Sequence, residues 1–514
     1  MATLSDLPNE VLEHILSLLP LDAWKQATLV CHKWKALCST RKCMAKVLLK
    51  LEPSEQEVSE IFHHMLLSDR KYQHVLFRGE DDEHDVLPTI LEKFKLNLES
   101  LCIKSYYESM LTVSLGYLQK LFCCLTMLKE LRIQTMVDYE DDAFDVPDKI
   151  ELSKMPCLRV LYLETSSLEA ACFDWIKIAP HLERLYLPQS STCSNFKALM
   201  SFYGPQLSSL GISMGGDRSC CVGETKLDFP KVRKLTIVCW TGIGLTPTAR
   251  LIKSFTNLHE LSLGHHISEE TLSMLAESHP SLVVLRLFDT LPENGWQIIS
   301  KLPNLEQLYL MRMTIELNQL TQANCFEKVQ QLSLKKVEVK QMDDFFALIH
   351  VKMPHITSLE IADIGAKQIS SACNQLCNLQ RLNVVWIEDY ISSEIFDDLH
   401  RCTNLSELRL SSHDYQKAFS WTWFPRCPSV RKLTMYFPQL TDFCPSGTDN
   451  KEWTAFSDCF PSLTRLEIAK CQLPPTTIES IQMLLLNCEI RHVSERGPFQ
   501  ADHDDGIMQF RDGI

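Results

Sequence analysis

The feature that most constrains the fold of this chain is a short motif, L-x-x-L-x-L, that recurs along most of its length. Fifteen copies run from LESLCI, which begins at Leu98, to LTRLEI, which begins at Leu463, at a mean interval of about 26 residues. Weaker copies precede them at 44–49 and 72–77, and a degenerate copy follows at 490–493. Such a period is typical of repeat proteins in which each unit packs only against its neighbours.

Each repeat predicts one short strand and one returning segment. The apolar fourth and sixth positions alternate with polar positions, as a strand requires. In SEETLSMLAESHP, Ser268 is suited to cap a helix whose apolar stripe contains Leu272, Leu275 and Ala276. Because one unit cannot bury its own apolar face, stacked units are expected to share a core and pair their strands into a parallel sheet.

The repeats resemble the leucine-rich-repeat family over residues 44–493, as about 17 repeats. The resemblance implies an α/β fold, a curved solenoid with parallel strands on the concave side and helices on the convex side. The tail at 494–514 fits no repeat and is predicted to fray. The alternative is that Phe499, Met508 and Phe510 fold it back over the array.

A short helical cluster precedes the repeats. Pro8 suits the first position of a helix, where its missing N–H costs nothing. The apolar stripe of that helix comprises Val11, Leu12, Ile15, Leu16 and Leu19. Pro20 is expected to end the helix, and two further short helices follow. Three such helices cannot hide these groups from water by themselves, so the cluster needs external apolar surface.

The stretch LPNEVLEHILSLLPLDAWKQATLVCHKWKAL, from Leu7 to Leu37, resembles the F-box. We assign residues 1–43 to this domain, although the Leu-Trp pair often found after an F-box is absent. The resemblance implies docking on the Skp adaptor, which connects to a cullin and a RING subunit. The matched adaptor-binding positions are Leu7, Pro8, Leu12, Ile15, Leu16 and Trp34. The alternative is that these residues only cap the solenoid.

No constellation in the sequence predicts catalysis, a cofactor site or a metal site. GISMG at 211–215 matches G-x-S-x-G, but it overlaps a repeat strand, whereas a nucleophile elbow needs a strand-to-helix turn. His265 and His266 follow a strand and are interpreted as exposed or satisfied. Cys373 and Cys377 have no second pair with which to bind zinc. We therefore expect a protein that is not an enzyme.

Composition narrows the class of partner. A net charge of −14 argues against nucleic-acid binding, and no apolar run is long enough to span a membrane. With no secretory signal, the 21 cysteines are interpreted as reduced, buried thiols of a cytoplasmic or nuclear protein. Acidic runs at 80–85, 138–145 and 502–505 are either solvated loops or a landing surface for a basic segment of a partner.

The fifth position of each repeat is expected to point from the sheet into solvent. Two patches there combine tyrosine and arginine, which are enriched in binding hot spots. The predicted substrate-binding residues are Arg132, Tyr162, Arg184 and Tyr186 in one patch, and Arg286, Phe288 and Tyr309 in the other. The alternative is that they stack only for stability. Arg381, Glu407 and Lys432 alternate in charge at third positions, which favours a cross-strand ladder.

Together these features favour the substrate-recognition subunit of an SCF-type E3 ubiquitin ligase. Its mechanism is geometric, because docking at one end and substrate binding along the array raise the effective concentration of substrate lysines near the conjugating enzyme. All catalytic groups then belong to partners. The alternative is a non-proteolytic interaction scaffold or inhibitor.

Overall fold

The chain is described here by a computed structural model, which forms two compact units, one within Met1–Leu258 and one within His259–Ile514. The structure describes residues 7–19, 21–51, 67–68, 70–79, 86–105, 122, 125–134, 154–163, 174–187, 193–214, 228–239, 246–264, 267–362, 366–385, 396, 398–411, 424–436, 450–469, 479, 481–483, 485 and 487–493. The predictions for the three acidic runs, His265, His266 and the tail lie outside these residues.

Four helices, one more than the three predicted, open the first unit: α1 (Asn9–Leu18), α2 (Leu21–Val30), α3 (His32–Cys38) and α4 (Arg41–Met44). Pro8 occupies the N-cap position of α1, one residue before the helical position predicted for it. The helix ends before Pro20, as predicted. At the start of α3, the backbone N–H of Trp34 donates to Cys31 Sγ at 3.5 Å. Helix α1 packs against α2, α3 and α4, so the four helices form one cluster.

The remainder of the first unit is a repeat array. Its strands are β1 (Leu48–Leu51), β2 (His74–Gly79), β3 (Ser100–Ser105), β4 (Glu130–Gln134), β5 (Val160–Leu163), β6 (Arg184–Leu187), β7 (Ser209–Met214) and β8 (Lys234–Cys239). Its helices are α5 (Val86–Phe94), α6 (Trp175–Ile178), α7 (Cys193–Tyr203) and α8 (Thr246–Lys253). Each strand pairs in parallel with the next strand along the chain.

The second unit repeats this plan. Its strands are β9 (Glu260–Gly264), β10 (Val284–Phe288), β11 (Gln307–Met311), β12 (Thr314–Ile315), β13 (Gln331–Lys335), β14 (Glu338–Val339), β15 (Ser358–Ala362), β16 (Arg381–Val385), β17 (Glu407–Ser411), β18 (Lys432–Tyr436), β19 (Arg465–Ala469) and β20 (Glu489–Val493). Its helices are α9 (Glu269–Ser278), α10 (Gly295–Ile299), α11 (Leu317–Gln322), α12 (Met342–Lys352), α13 (Ala366–Gln375) and α14 (Asn450–Cys459), with a 3₁₀ turn at Leu399–Arg401. Strands β12 and β14 pair with each other, and the other ten form a parallel sheet in chain order.

The motif leucines form the core as predicted. Equivalent leucines lie in register on neighbouring strands, so Leu308 faces Leu285 on one side and Leu332 on the other, and all three are buried. Ser268 caps α9 by accepting the backbone N–H of Thr271 at 3.0 Å. The predicted α/β class, with N-terminal helices followed by parallel repeat strands, is confirmed.

The first weak repeat has a different register from the predicted one. Leu49 pairs with Val75 and Leu51 with Phe77, so the inward pair is 49 and 51 rather than 47 and 49. A shift of two residues keeps the same face of a strand toward the core, because side chains alternate with period two. The apolar pattern of this short strand therefore did not specify its register.

Candidate protein-interaction surfaces

Helices α1 and α2 expose large apolar side chains. On α1, Val11 is 43% exposed, Ile15 38% and Leu18 71%, and their spacing places them along one side of the helix. At the end of α2, Leu29 is 78% exposed and Val30 62%. We call these five residues the N-terminal apolar set. Apolar side chains concentrated in this way are typical of a surface that binds another protein.

The structure separates the predicted adaptor-binding residues into two groups. Pro8 and Ile15 are exposed, and Leu7 and Trp34 are half-buried. Leu12 and Leu16 are each only 1% exposed and pack inside the helical cluster. The wide stripe that the sequence suggested therefore combines an outer row, Val11 and Ile15, with an inner row, Leu12 and Leu16, that holds the helices together. The exposed Leu18 extends the outer row and was not part of the predicted stripe.

The helical cluster is joined to the first repeats by polar contacts. Glu99 accepts hydrogen bonds from Arg41 of α4 and, at 2.6 Å, from Lys129 Nζ near β4. The side chain of Gln73 donates to the carbonyl of Arg41, and His74 Nε2 lies 2.8 Å from the carbonyl oxygen of Ala45. We call this set the junction.

Lys129 and Arg41 favour the ionised form of the Glu99 carboxyl. Burial by itself raises the pKa of the Glu99 carboxyl, but the hydrogen bonds and charges of Lys129 and Arg41 outweigh it. The net pKa therefore lies below its ordinary value. The junction thus depends on an ionised Glu99, which links α4, before the first strand, to the repeat that contains Lys129.

The tyrosines of the first predicted patch stack on each other. The ring centroids of Tyr162 and Tyr186 are 4.3 Å apart with an interplanar angle of 15°. Tyr186 is buried and Arg184 is exposed, while Arg132 pairs with Glu130 at 2.6 Å. The patch is thus brought together as expected, with much of its aromatic surface used internally.

The second patch is a packed polar cluster. The guanidinium of Arg286 lies 4.7 Å from the ring centroid of Tyr309, and its Nη1 lies 3.3 Å from an oxygen of Glu260. The Tyr309 hydroxyl donates to Gln307 Oε1 at 3.1 Å and accepts from Gln331 Nε2 at 2.9 Å. Burial raises the pKa of Tyr309, which therefore remains a neutral donor. Arg286 and its neighbour Phe288 are both buried, so this patch offers little free surface.

Several fifth-position side chains of the second unit are buried, although the sequence predicted that they face solvent. Ser333 is fully buried and donates to Glu360 Oε2 at 3.0 Å. Lys335 pairs with the other oxygen of Glu360 at 3.0 Å. Neighbouring strands are close enough for these polar side chains to satisfy one another, which removes them from water. Substrate binding by the two patches stays a prediction.

No metal site or membrane span is found in the part of the chain that the structure describes. No group of three His, Cys, Asp or Glu side chains is placed to hold a metal ion there. No helix in the same residues is both long enough and apolar enough to cross a bilayer. Cys373 is buried and Cys377 is exposed, so these two side chains do not face a common site.

Comparison with known families assigns the helical cluster. A family model described as F-box-like matches residues 4–49, which include all four N-terminal helices and the N-terminal apolar set. Residues 4–49 form an F-box-like domain. This match confirms the resemblance drawn from the sequence and extends into β1, beyond the stretch assigned there.

Two of the solved structures that match the chain are an LRR protein and the TLR13–ssRNA13 complex. One, from Leptospira interrogans, is 15% identical with a TM-score of 0.29, and the match covers 86% of this chain and 100% of that one. The other, the TLR13–ssRNA13 complex, is 13% identical with a TM-score of 0.38, and covers 89% of this chain and 68% of that one. No curated protein matches the chain in sequence. The assignment of the repeat fold rests on the strands and helices described above.

Proposed function

We propose that this chain is the substrate-recognition subunit of an SCF-type ubiquitin ligase. F-box domains bind Skp adaptors, and the F-box-like domain here presents the N-terminal apolar set on its outside. The exposure of Val11, Ile15 and Leu18 on one helix is the observation that supports the proposal most strongly. Burial of such side chains against a partner is favourable by about 25 cal/mol per Å² of apolar surface.

In this proposal the chain acts by position alone. The adaptor connects the F-box-like domain to a cullin and a RING subunit, while the repeats hold a protein substrate. The junction at Glu99 links the domain to the first repeats, so that a bound substrate is held near the conjugating enzyme. Substrate recognition is assigned to the chain, and every catalytic group to its partners.

A second candidate function is a non-proteolytic scaffold or inhibitor in which the F-box-like domain caps the repeats. Two observations favour it: Leu12 and Leu16 serve the internal core, and the junction fixes the helices to the repeat array. In that case the adaptor is not needed, and the exposed apolar residues serve another partner or none.

Binding of purified Skp adaptor to the full-length chain tests the proposal. The variant Val11→Glu with Ile15→Glu places two charges on the outer row of α1 without touching its buried row. We expect its affinity for the adaptor to fall at least tenfold, as for a residue pair at the centre of an interface, while thermal unfolding stays near that of the wild type.

The matched control is Val351→Glu, which places a charge on an exposed valine of α12. This control is expected to bind the adaptor as the wild type does. An adaptor affinity that is the same for the double variant and the control contradicts the proposed docking surface. Absence of adaptor binding by the wild-type chain supports the capping role instead.

A further inference from the structure

The outer face of strands β16–β19, opposite the buried motif leucines, has more cations than carboxylates. We call it the β16–β19 face. Its charged third- and fifth-position side chains are Arg381, Glu407, Arg409, Lys432, Arg465 and Glu467. Four of these are cationic in a chain whose net charge is −14. A local excess of positive charge on an acidic protein points to an anionic partner rather than to general solubility.

The predicted ladder of alternating charge, Arg381, Glu407 and Lys432, does not continue onto β19, where the next residue in register is another cation, Arg465. Glu407 pairs with Lys432 at 2.8 Å, but the same oxygen also accepts from Arg409 at 2.8 Å. Lys432 is in register with Arg465 on the next strand, so two cations are direct neighbours. Arg465 also has carboxylates beside it: its Nη2 lies 3.2 Å from Oε2 of Glu467, and Glu489 is in register with it on β20. Like charges opposite each other destabilise a sheet. Glu407 and Glu467 offset part of that cost, and an anion bound between Lys432 and Arg465 offsets more of it.

Polar atoms on this face also lack partners. Among the residues that the structure describes, Arg465 Nε and Thr434 Oγ1 are buried without a hydrogen bond, and Asn383 Oδ1 is in the same condition. Buried polar groups are normally satisfied, so three such atoms within four successive strands, two of them on the adjacent strands β18 and β19, are unusual. A ligand that reorients these side chains and bonds to them supplies the missing partners.

The face is accessible, unlike the satisfied cluster around Glu360. Arg381 is exposed, and the side chains of Lys432 and Arg465 are 28% and 33% exposed, against 16% for Lys335. Four strands at a spacing of about 4.8 Å span about 14 Å, which an extended segment of about five residues covers.

We propose that the β16–β19 face binds an extended anionic peptide segment of a partner protein, with its carboxylate or phosphate groups between Lys432 and Arg465 and near Arg381. Under the proposed function this segment belongs to the ubiquitination substrate, and the inference rests on that function only in naming the segment's owner. The charge of this anionic segment is opposite to that of the basic partner segment considered for the acidic runs at 80–85, 138–145 and 502–505.

The experiment measures binding of fluorescein-labelled twelve-residue peptides to the full-length chain by fluorescence anisotropy. One peptide alternates Glu with Gly, a second replaces each Glu by Gln, and a third places phosphoserine at the Glu positions. The test variant is Lys432→Glu with Arg465→Glu. The control variant, Lys253→Glu with Lys301→Glu, makes the same change of net charge at exposed lysines off this face.

We expect the Glu peptide to bind at least tenfold more tightly than the Gln peptide, and its binding to weaken as salt is added. The test variant should lose at least tenfold in affinity, and the control less than twofold. Tighter binding of the phosphoserine peptide, lost in the same variant, identifies phosphate as the anion. Equal affinity for Glu and Gln peptides, or equal loss in both variants, overturns the proposal.

Three further measurements keep the result decisive. If thermal unfolding shows that the test variant is not folded, Lys432→Gln with Arg465→Gln replaces it, with a loss of at least threefold expected. If a single-stranded oligouridine binds to the chain and none of the acidic peptides does, the inference is overturned. Titration of the same preparations with the Skp adaptor separates the two proposals, because adaptor binding without peptide binding contradicts this inference alone.

Discussion

At position 211, the side chain of Tyr186 on the neighbouring strand leaves room only for glycine. A Cβ atom built there lies 1.9 Å from Cδ2 of Tyr186, because the Tyr186 ring leans across the next strand onto the glycine. Tyr162 stacks on the other side of the same ring. The tyrosine pair and the glycine therefore form one packed unit on the outer face of β5–β7.

The substitution Gly211→Ala is expected to lower the free energy of unfolding by about 1–3 kcal/mol, because the buried Tyr186 ring has to move. Chemical denaturation measures this change. In a Tyr186→Ala background the same substitution should cost little, since the obstructing ring is gone. Equal costs of Gly211→Ala in the two backgrounds contradict the account.

For helix α1, the pattern of apolar residues predicted a stripe but did not show which residues of the stripe are buried and which are exposed. The stripe on α1 contained both Leu12 and Ile15, and only packing against the other helices of the cluster separates the buried residue from the exposed one. The G-x-S-x-G match was rightly assigned to a strand, but nothing in it revealed that Gly211 leaves room for the ring of Tyr186 on the neighbouring strand.

At the scale of elements, the junction is held by a carboxylate whose ionisation matters for stability. The pKa of Glu99 is lower in the folded chain than in the unfolded chain, as its two cationic partners require. Its contribution is therefore fully present above the unfolded pKa and is lost as the pH falls through the folded pKa.

The substitution Glu99→Gln is expected to lower the free energy of unfolding at pH 7 by about 1–3 kcal/mol, because it leaves Arg41 and Lys129 without their anion. The deficit relative to the wild type should shrink as the pH is lowered into the acid range, where the wild-type carboxyl is itself protonated. Denaturation at several pH values measures it.

The control for this prediction is Glu183→Gln, whose partner Arg159 lies 3.5 Å away in an exposed pair. Such pairs contribute about 0–1 kcal/mol, so this variant should unfold almost as the wild type does. A deficit for Glu99→Gln that does not change with pH contradicts the assigned role of its charge.

Strands were the elements most readily predicted, because the alternation of apolar residues in L-x-x-L-x-L specifies both their existence and their inward face. The pairing of β1 was misplaced by two residues, because its short apolar run fits the core in either register. The junction could not be predicted, since Arg41, Glu99 and Lys129 become neighbours only when successive repeats stack.

At the scale of the whole molecule, the order of an F-box-like domain followed by repeats could be predicted, because each part has its own sequence pattern. The exposure of side chains on the outer face of the sheet could not be predicted. This exposure depends on which neighbouring side chains form hydrogen bonds and ion pairs with one another, as Ser333, Lys335 and Glu360 do. It also depends on which polar atoms are left without such a partner, as Arg465 Nε is.

The most direct test of the central claim is affinity purification of the full-length chain from cells, followed by quantitative mass spectrometry. It compares the wild type with Val11→Glu plus Ile15→Glu, with Val351→Glu as the control. We expect the adaptor, cullin and RING subunit to be recovered with the wild type and the control and to be lost from the double variant. Proteins held by the repeats should remain with all three. Equal recovery of the adaptor with all three chains, or its absence from the wild type while other partners are present, contradicts the claim.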